Sequence, residues 1–179
     1  MNTILAQVKL LRQIASEFSS FASSPSVQRA PVDTAELLRE IVDPYRSALA
    51  DQIQFNVDVA SDLPPVYVDR TLITRSLTNI IENALHAMGP RGTLTIVAWR
   101  EEDDVRIRVS DTGAGMDPDA LARAFEPYFS TKASGTGLGL PIAKRNIELS
   151  GGTITIHSER GRGTTVELTL PVAVQQEAA

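Results

Sequence analysis

The sequence predicts an α/β protein, a two-layer α/β sandwich with a mixed, largely antiparallel sheet, preceded by one separate helix. Three observations carry that expectation. Apolar residues alternate with period two in adjacent pairs of runs, 94–98 with 105–109 and 153–158 with 164–170, which is hairpin order. Stretches of helical period, 70–88 and the segment ending at Leu149, stand between those pairs, so helices and hairpins share one unit. The first 24 residues carry a heptad stripe and are cut off by a proline-bracketed stretch.

The elements follow in order. Ile4, Val8, Leu11, Ala15, Phe18 and Ala22 step alternately by four and three, and Leu5, Ile14 and Phe21 widen the stripe into the seam of a bundle. The stretch "SSPSVQRAP" ends it, with Pro25 and Pro31 bracketing a polar linker over 25–31. "VDTAELL" is a capping box, with Asp33 at the N-cap, Glu36 three residues on, and Val32 and Leu37 as the hydrophobic staple. Pro44 is expected to kink or end that helix near Asp43. Ile53, Phe55, Val57 and Val59 alternate as a strand, Val66 and Val68 make a shorter one, and Asp69 caps a long helix from Arg70 to about Met88. A hairpin then leads to Asp111, "DP" at Asp117 starts a helix, a glycine loop opens another helix to about Leu149, and a last hairpin ends near Pro171. The domain is expected over 32–171, with a flexible tail over 172–179.

Composition narrows the function. With 42% apolar residues among 179, one core is affordable to fold. A net charge of -5 without a basic stripe speaks against nucleic acid and against an anionic membrane surface. No cysteine is present, which removes disulfides and thiolate chemistry and fits a reducing cytoplasm. No apolar run of membrane-spanning length and no secretory signal is present, so no membrane contact is expected of this chain, although a longer parent protein can be anchored.

Four stretches carry chemical information. In "NIIENALHAM", Asn79 and Asn83 stand four apart, so their amides share one helical stripe and can offer neutral oxygen to a phosphate-bound Mg2+. In "DTGAGM", Asp111 ends a strand and can accept from an exocyclic amine, while Gly113 and Gly115 let backbone approach a flat ligand. "FEPYFSTK" holds Phe125, Tyr128, Phe129 and Lys132. "GTGLGLPIAKRNIELSGG" puts Gly135, Gly137 and Gly139 at the mouth of a helix, whose positive end suits an anion. Taken singly, each has a plainer reading: a solvated helix face, an Asx turn, core aromatics beside a surface cation, and a flexible connection.

In this order and spacing the four resemble the N, G1, F and G2 boxes of the ATP-binding domain of sensor histidine kinases, within the superfamily that includes gyrase, the heat-shock chaperone and MutL. The resemblance covers 32–171 and implies the Bergerat-type ATP-binding fold. The run "EFSSFASSP" resembles the nitrogen-regulation type, and residues 1–24 resemble the second helix of a dimerisation hairpin. The resemblance implies that Asn83 is the Mg2+ ligand with Asn79 as its helper, and that Asp111 accepts from the adenine amine beside Gly113 and Gly115. It also implies that Lys132 is a phosphate cation, that Gly135, Gly137 and Gly139 belong to a lid over the triphosphate, that Thr164 reaches adenine through water, and that Met116 and Leu138 are apolar walls. Glu82 points off the asparagine stripe and is kept as a surface or supporting residue.

The implied activity is that of a histidine protein kinase using ATP and Mg2+, with a response regulator receiver domain as partner and self-association through the N-terminal helix. Departures stand beside it. His86 occupies a position where many members have lysine or arginine, and the lid from Ser130 to Thr136 is short. Neither His86 nor His157 precedes an acidic residue, so the chain is expected to lack its own phosphoacceptor and to carry no catalytic side chain of that kind. It reads as a fragment missing the sensor and the first hairpin helix. Two other classes share the boxes: a nucleotide-sensing pseudokinase, which would bind ATP without transfer, and an anti-sigma-type serine kinase, against which the heptad stripe argues.

Overall fold

The computed structural model describes residues 26–132 and 135–173. The heptad stripe of residues 1–24, Pro25, and the tail beyond Ala173 lie outside the described residues. Within them the chain order is β1 (Ala30–Val32), α1 (Thr34–Ala48), β2 (Ile53–Val59), β3 (Val66–Val68), α2 (Arg70–Met88), β4 (Gly92–Glu101) and β5 (Asp104–Asp111). The remaining elements are α3 (Pro118–Ala122), α4 (Gly139–Leu149), β6 (Thr153–Glu159) and β7 (Gly163–Pro171).

Five strands form one sheet in the order β2-β4-β5-β7-β6. β2 runs parallel to β4, and the other pairs are antiparallel, so the sheet is mixed as the alternation implied. Alternate residues of the central strands, Leu94 and Ile96, Val105 and Ile107, Leu168 and Leu170, are buried beneath the helices. Helix α2 turns Ile73, Leu77, Ile80, Ile81, Ala84 and Met88 into that layer. Each large side chain so buried contributes about 1.5 to 3 kcal/mol before entropy is charged against it. The opposite face is polar and cross-linked: Arg106 donates to Glu167 at 2.6 Å, and Arg108 reaches the same carboxylate and lies over the Trp99 ring.

Caps act where the sequence places them. Asp33 Oδ1 accepts from the Glu36 amide at 2.8 Å, Asp69 Oδ1 from Thr71 and Leu72, and Asp117 Oδ1 from Ala120. Each satisfies amides that the first helical turn leaves unpaired. Three expectations are corrected. Helix α1 does not end at Pro44 but runs through it to Ala48, with Pro44 on the exposed side where its ring meets solvent.

The end of the supposed linker is part of the domain. Ala30–Val32 pairs antiparallel with β3, and Pro31 is tolerated because the strand is three residues long in a two-stranded sheet. At the other end Val172 bridges Val66, and the Ala173 amide donates to the Pro65 carbonyl at 2.8 Å, so the tail is docked as far as Ala173. Among the described residues no helix is long and apolar enough to cross a membrane.

Helices α2 and α4 pack antiparallel. Asn79 Nδ2 donates to the Gly139 carbonyl at 3.1 Å at one end, and Ser76 Oγ donates to Leu72 and approaches the Ala143 carbonyl nearer the middle. At the far end the Gln28 amide donates to Asp69 Oδ2 at 2.9 Å, and Arg29 donates to the Leu149 carbonyl at 2.7 Å. The functional site lies at the Asn79 end.

Candidate functional site

A cavity of about 440 Å3 opens between α2, the end of β5, and the segment leading into α4. Its floor is apolar sheet, Val109, Val166 and Ile156; its walls include Asn79, Asn83, Asp111, Gly115, Met116, Lys132, Gly135, Gly137, Gly139 and Thr164. Ten of the twelve residues singled out by sequence thus meet in one place, separated by up to 85 positions along the chain (79 to 164). The other two stand behind it. Leu138 is buried at 1% exposure and does not line the cavity; Leu140, two residues on, takes the wall position expected of it. Gly113 approaches the helix rather than a ligand: a Cβ there would lie 2.6 Å from the Ala87 carbonyl carbon, so glycine lets the turn press against α2.

Asp111 is the polar centre of the sheet end. It is 9% exposed, and its Oδ1 accepts from the Gly113 amide at 2.8 Å and the Thr164 amide at 3.3 Å. Burial raises its pKa, while the two backbone donors and the nearby Lys132 charge pull it back. With Oδ1 committed to backbone, Oδ2 is the oxygen available to a ligand donor.

Lys132 crosses the cavity mouth. Its Nζ donates to Asn83 Oδ1 at 2.7 Å, and partial burial lowers its pKa against the opposing pull of Asp111. The Asn83 amide oxygen therefore faces a positive charge, as a metal ligand must. Among the described residues no group of three or more His, Cys, Asp or Glu side chains converges, so a cation here would rest on amide oxygen and on oxygens brought by a ligand.

Gly137 has φ +68°, and a Cβ on it would lie 2.5 Å from the Tyr128 carbonyl carbon. Its carbonyl accepts from the Tyr128 amide at 3.0 Å, which ties the aromatic segment to the glycine loop. The aromatics divide. Phe129 lines the cavity, Phe125 lies under Lys144, and Tyr128 is 62% exposed rather than core. At the helix that follows, the N-cap residue Leu138 carries no side-chain acceptor, so α4 begins without a side-chain cap beside the cavity.

His86 is exposed at the cavity rim, and His157 is exposed on β6. Glu82 also reaches the cavity wall and accepts from the Tyr45 hydroxyl of α1 at 3.2 Å. Burial, then the Glu82 carboxylate, push the Tyr45 pKa up to about 12. The sequence singled out neither Tyr45 nor Ser158. Ser158 Oγ touches the Met116 amide, the Gly163 carbonyl and Thr164 Oγ1, and the signal that marks it is its place opposite Thr164 in the last hairpin.

The arrangement combines a buried carboxylate over an apolar floor with an ammonium and two amides at the mouth, which suits a flat amine-bearing base joined to an anionic tail. Proteins similar to the chain include kinases. The chain is 32% identical to sporulation kinase E of Bacillus subtilis (strain 168) over 178 residues, covering 98% of this chain and 24% of that protein. Full-length ShkA, solved in complex with AMPPNP, superposes with a TM-score of 0.79 at 28% identity over 94% of this chain and 36% of its own. Histidine kinase ThkA in complex with response regulator protein TrrA superposes with a TM-score of 0.81 at 25% identity, over 98% of this chain and 51% of its own. The chain spans about a quarter of the length of sporulation kinase E. Residues 68–174, which contain all twelve site positions, match the sequence pattern of the histidine kinase-, DNA gyrase B-, and HSP90-like ATPases, and the chain belongs to that family.

Proposed function

We propose that the chain is the ATP-binding catalytic part of a sensor histidine kinase, which positions ATP for phosphoryl transfer to a histidine on a dimerisation hairpin, for relay to a response regulator aspartate. The observation that carries the reading is the meeting of Asp111, Thr164, Asn79, Asn83 and Lys132 around one cavity with an apolar floor. The bound AMPPNP of ShkA and the response regulator bound to ThkA support it.

In this reading adenine lies on Val109, Val166 and Ile156 between Met116 and Leu140, with its amine donating to Asp111 Oδ2. Lys132 and the amides at the start of α4 meet the phosphates. Asn83 Oδ1, helped by Asn79, would hold Mg2+, and its contact with the Lys132 ammonium supports this by placing that oxygen toward positive charge. Bound Mg2+ supplies neutralisation of phosphate charge. The protein's part is positioning: the γ-phosphorus leaves the bridging oxygen of ADP as a bond forms to an imidazole nitrogen.

The same reading assigns residues 1–24 to the second hairpin helix, through which the chain self-associates, and "EFSSFASSP" to the nitrogen-regulation type. Since neither His86 nor His157 has an acidic follower, the isolated chain is inactive in autophosphorylation. With radiolabelled ATP it stays unlabelled, and adding a hairpin that carries an acceptor histidine yields acid-labile label on that hairpin. Label on His86 or His157, or acid-stable label on a serine, would sink the proposal.

A further inference from the structure

Ser158 stands outside the cavity lining, yet it holds the residue through which the site reads the base. Asp111, Thr164 and Ser158 occupy one row across three neighbouring strands, Thr164 being the register partner of both others. Side chains of one such row project to the same face, here the face of Val109, Val166 and Ile156 that floors the cavity.

The Ser158 hydroxyl has three short contacts: the Met116 amide at 2.9 Å, the Gly163 carbonyl at 3.0 Å and Thr164 Oγ1 at 2.9 Å. A hydroxyl brings one proton and two lone pairs. The Met116 amide can only donate, and the Gly163 carbonyl can only accept. All three contacts are hydrogen bonds in one arrangement alone. Ser158 gives its proton to Gly163, and its two lone pairs receive the Met116 N–H and the Thr164 O–H. The Thr164 proton is then turned away from the cavity, and Thr164 Oγ1 offers it a lone pair.

We infer that Ser158 is a positioning residue for base selection, which makes Thr164 an acceptor toward the ligand by taking its hydroxyl proton. This rests on the reading of the cavity as an adenine-nucleotide site. The row then presents acceptors only, Asp111 Oδ2 and Thr164 Oγ1. An exocyclic amine meets the first directly. A ring nitrogen that is itself an acceptor, such as N1 of adenine, meets the second through a water that donates one proton to each. A base with a carbonyl at position 6 sets an acceptor against Asp111 Oδ2 and is mismatched there, and unmatched polar groups are what a polar site rejects most strongly.

The test compares ADP with 1-deaza-ADP, which keeps the amine and replaces N1 by C–H, using calorimetry on the whole chain. The wild-type chain is expected to prefer ADP by about tenfold, the scale of one lost hydrogen bond. Ser158→Ala is expected to weaken ADP binding while leaving 1-deaza-ADP unchanged, so that the preference falls to about twofold. Thr164→Val reads the same proton from the other side and should give the same pattern; Ser158→Thr, which keeps the hydroxyl, should restore the preference. The double variant Ser158→Ala, Thr164→Val should be no worse than either single one. Equal weakening of both nucleotides by Ser158→Ala, or additive losses in the double variant, would overturn the role of Ser158 while the nucleotide site stands. Absence of ADP binding to the wild-type chain would overturn the site and this inference with it.

Discussion

Lys132 and Asn83 close the cavity mouth on each other, with Lys132 Nζ donating to Asn83 Oδ1 at 2.7 Å. The oxygen proposed for the metal already accepts from the Lys132 ammonium, so a divalent ion arriving without phosphates would meet a like charge there. Phosphate oxygens provide the alternative partner that draws the ammonium away.

Lys132→Met is therefore expected to weaken ATP binding at saturating Mg2+ by about tenfold, ~1.4 kcal/mol, and ADP binding by less. Calorimetry with both nucleotides checks it. Equal loss for the two would remove Lys132 from the terminal phosphate.

Asn83→Ala is expected to abolish the Mg2+-dependent part of ATP affinity while moving the melting temperature of the nucleotide-free chain little, because the amide faces the cavity. Titrations with and without Mg2+, beside a thermal melt, read both parts. A large loss of stability without nucleotide would make the asparagine structural instead.

Asp111 separates stability from binding. Its folded pKa is raised by burial, so the stabilisation from its proton is complete below the ordinary carboxylate pKa and is lost as pH rises through the raised value. At neutral pH the buried charge opposes folding. Asp111→Asn keeps an oxygen for the Gly113 and Thr164 amides and removes that charge. The variant should melt at or above the wild-type temperature at neutral pH without nucleotide, should lose that advantage in acid, and should bind ADP about tenfold or more weakly. Melts across the acidic range and an ADP titration test the two halves separately.

Gly113→Ala puts a methyl group 2.6 Å from the Ala87 carbonyl carbon, where α2 backbone cannot give way locally. Overpacking of this kind costs about 1 to 3 kcal/mol. Chemical denaturation should register it as a lower midpoint with an unchanged slope.

Local signals were legible wherever they were complete in themselves. Asp69 followed by a long apolar period, and Asp117 before Pro118, each specify a helix start without help from elsewhere, and both cap as written. The pairing of Ala30–Val32 with Val66–Val68 was not legible, because Pro31 reads as a linker residue until a distant strand supplies its partner. The sequence marks Leu138 as a wall where the structure has Leu140, because a glycine loop hides the phase at which the helix begins, and a shift of two residues there turns a side chain from cavity to core. Ser158 carries no mark in the sequence because its place comes from register: it stands opposite Thr164, and period-two alternation says which face a residue takes but not what stands across from it.

The fastening of residues 28 and 29 to the ends of α2 and α4 remote from the cavity makes the helix pair a lever. The eleven residues of α4 span about 16 Å. With Leu149 held, a tilt of only about 4° carries Gly139 roughly 1 Å, by the rise of 1.5 Å per residue along that arm. That displacement is enough to part the 3.1 Å bond between Asn79 and the Gly139 carbonyl. A rotation of α4 about Leu149 by that amount would therefore be read at the asparagine stripe as one hydrogen bond made or lost.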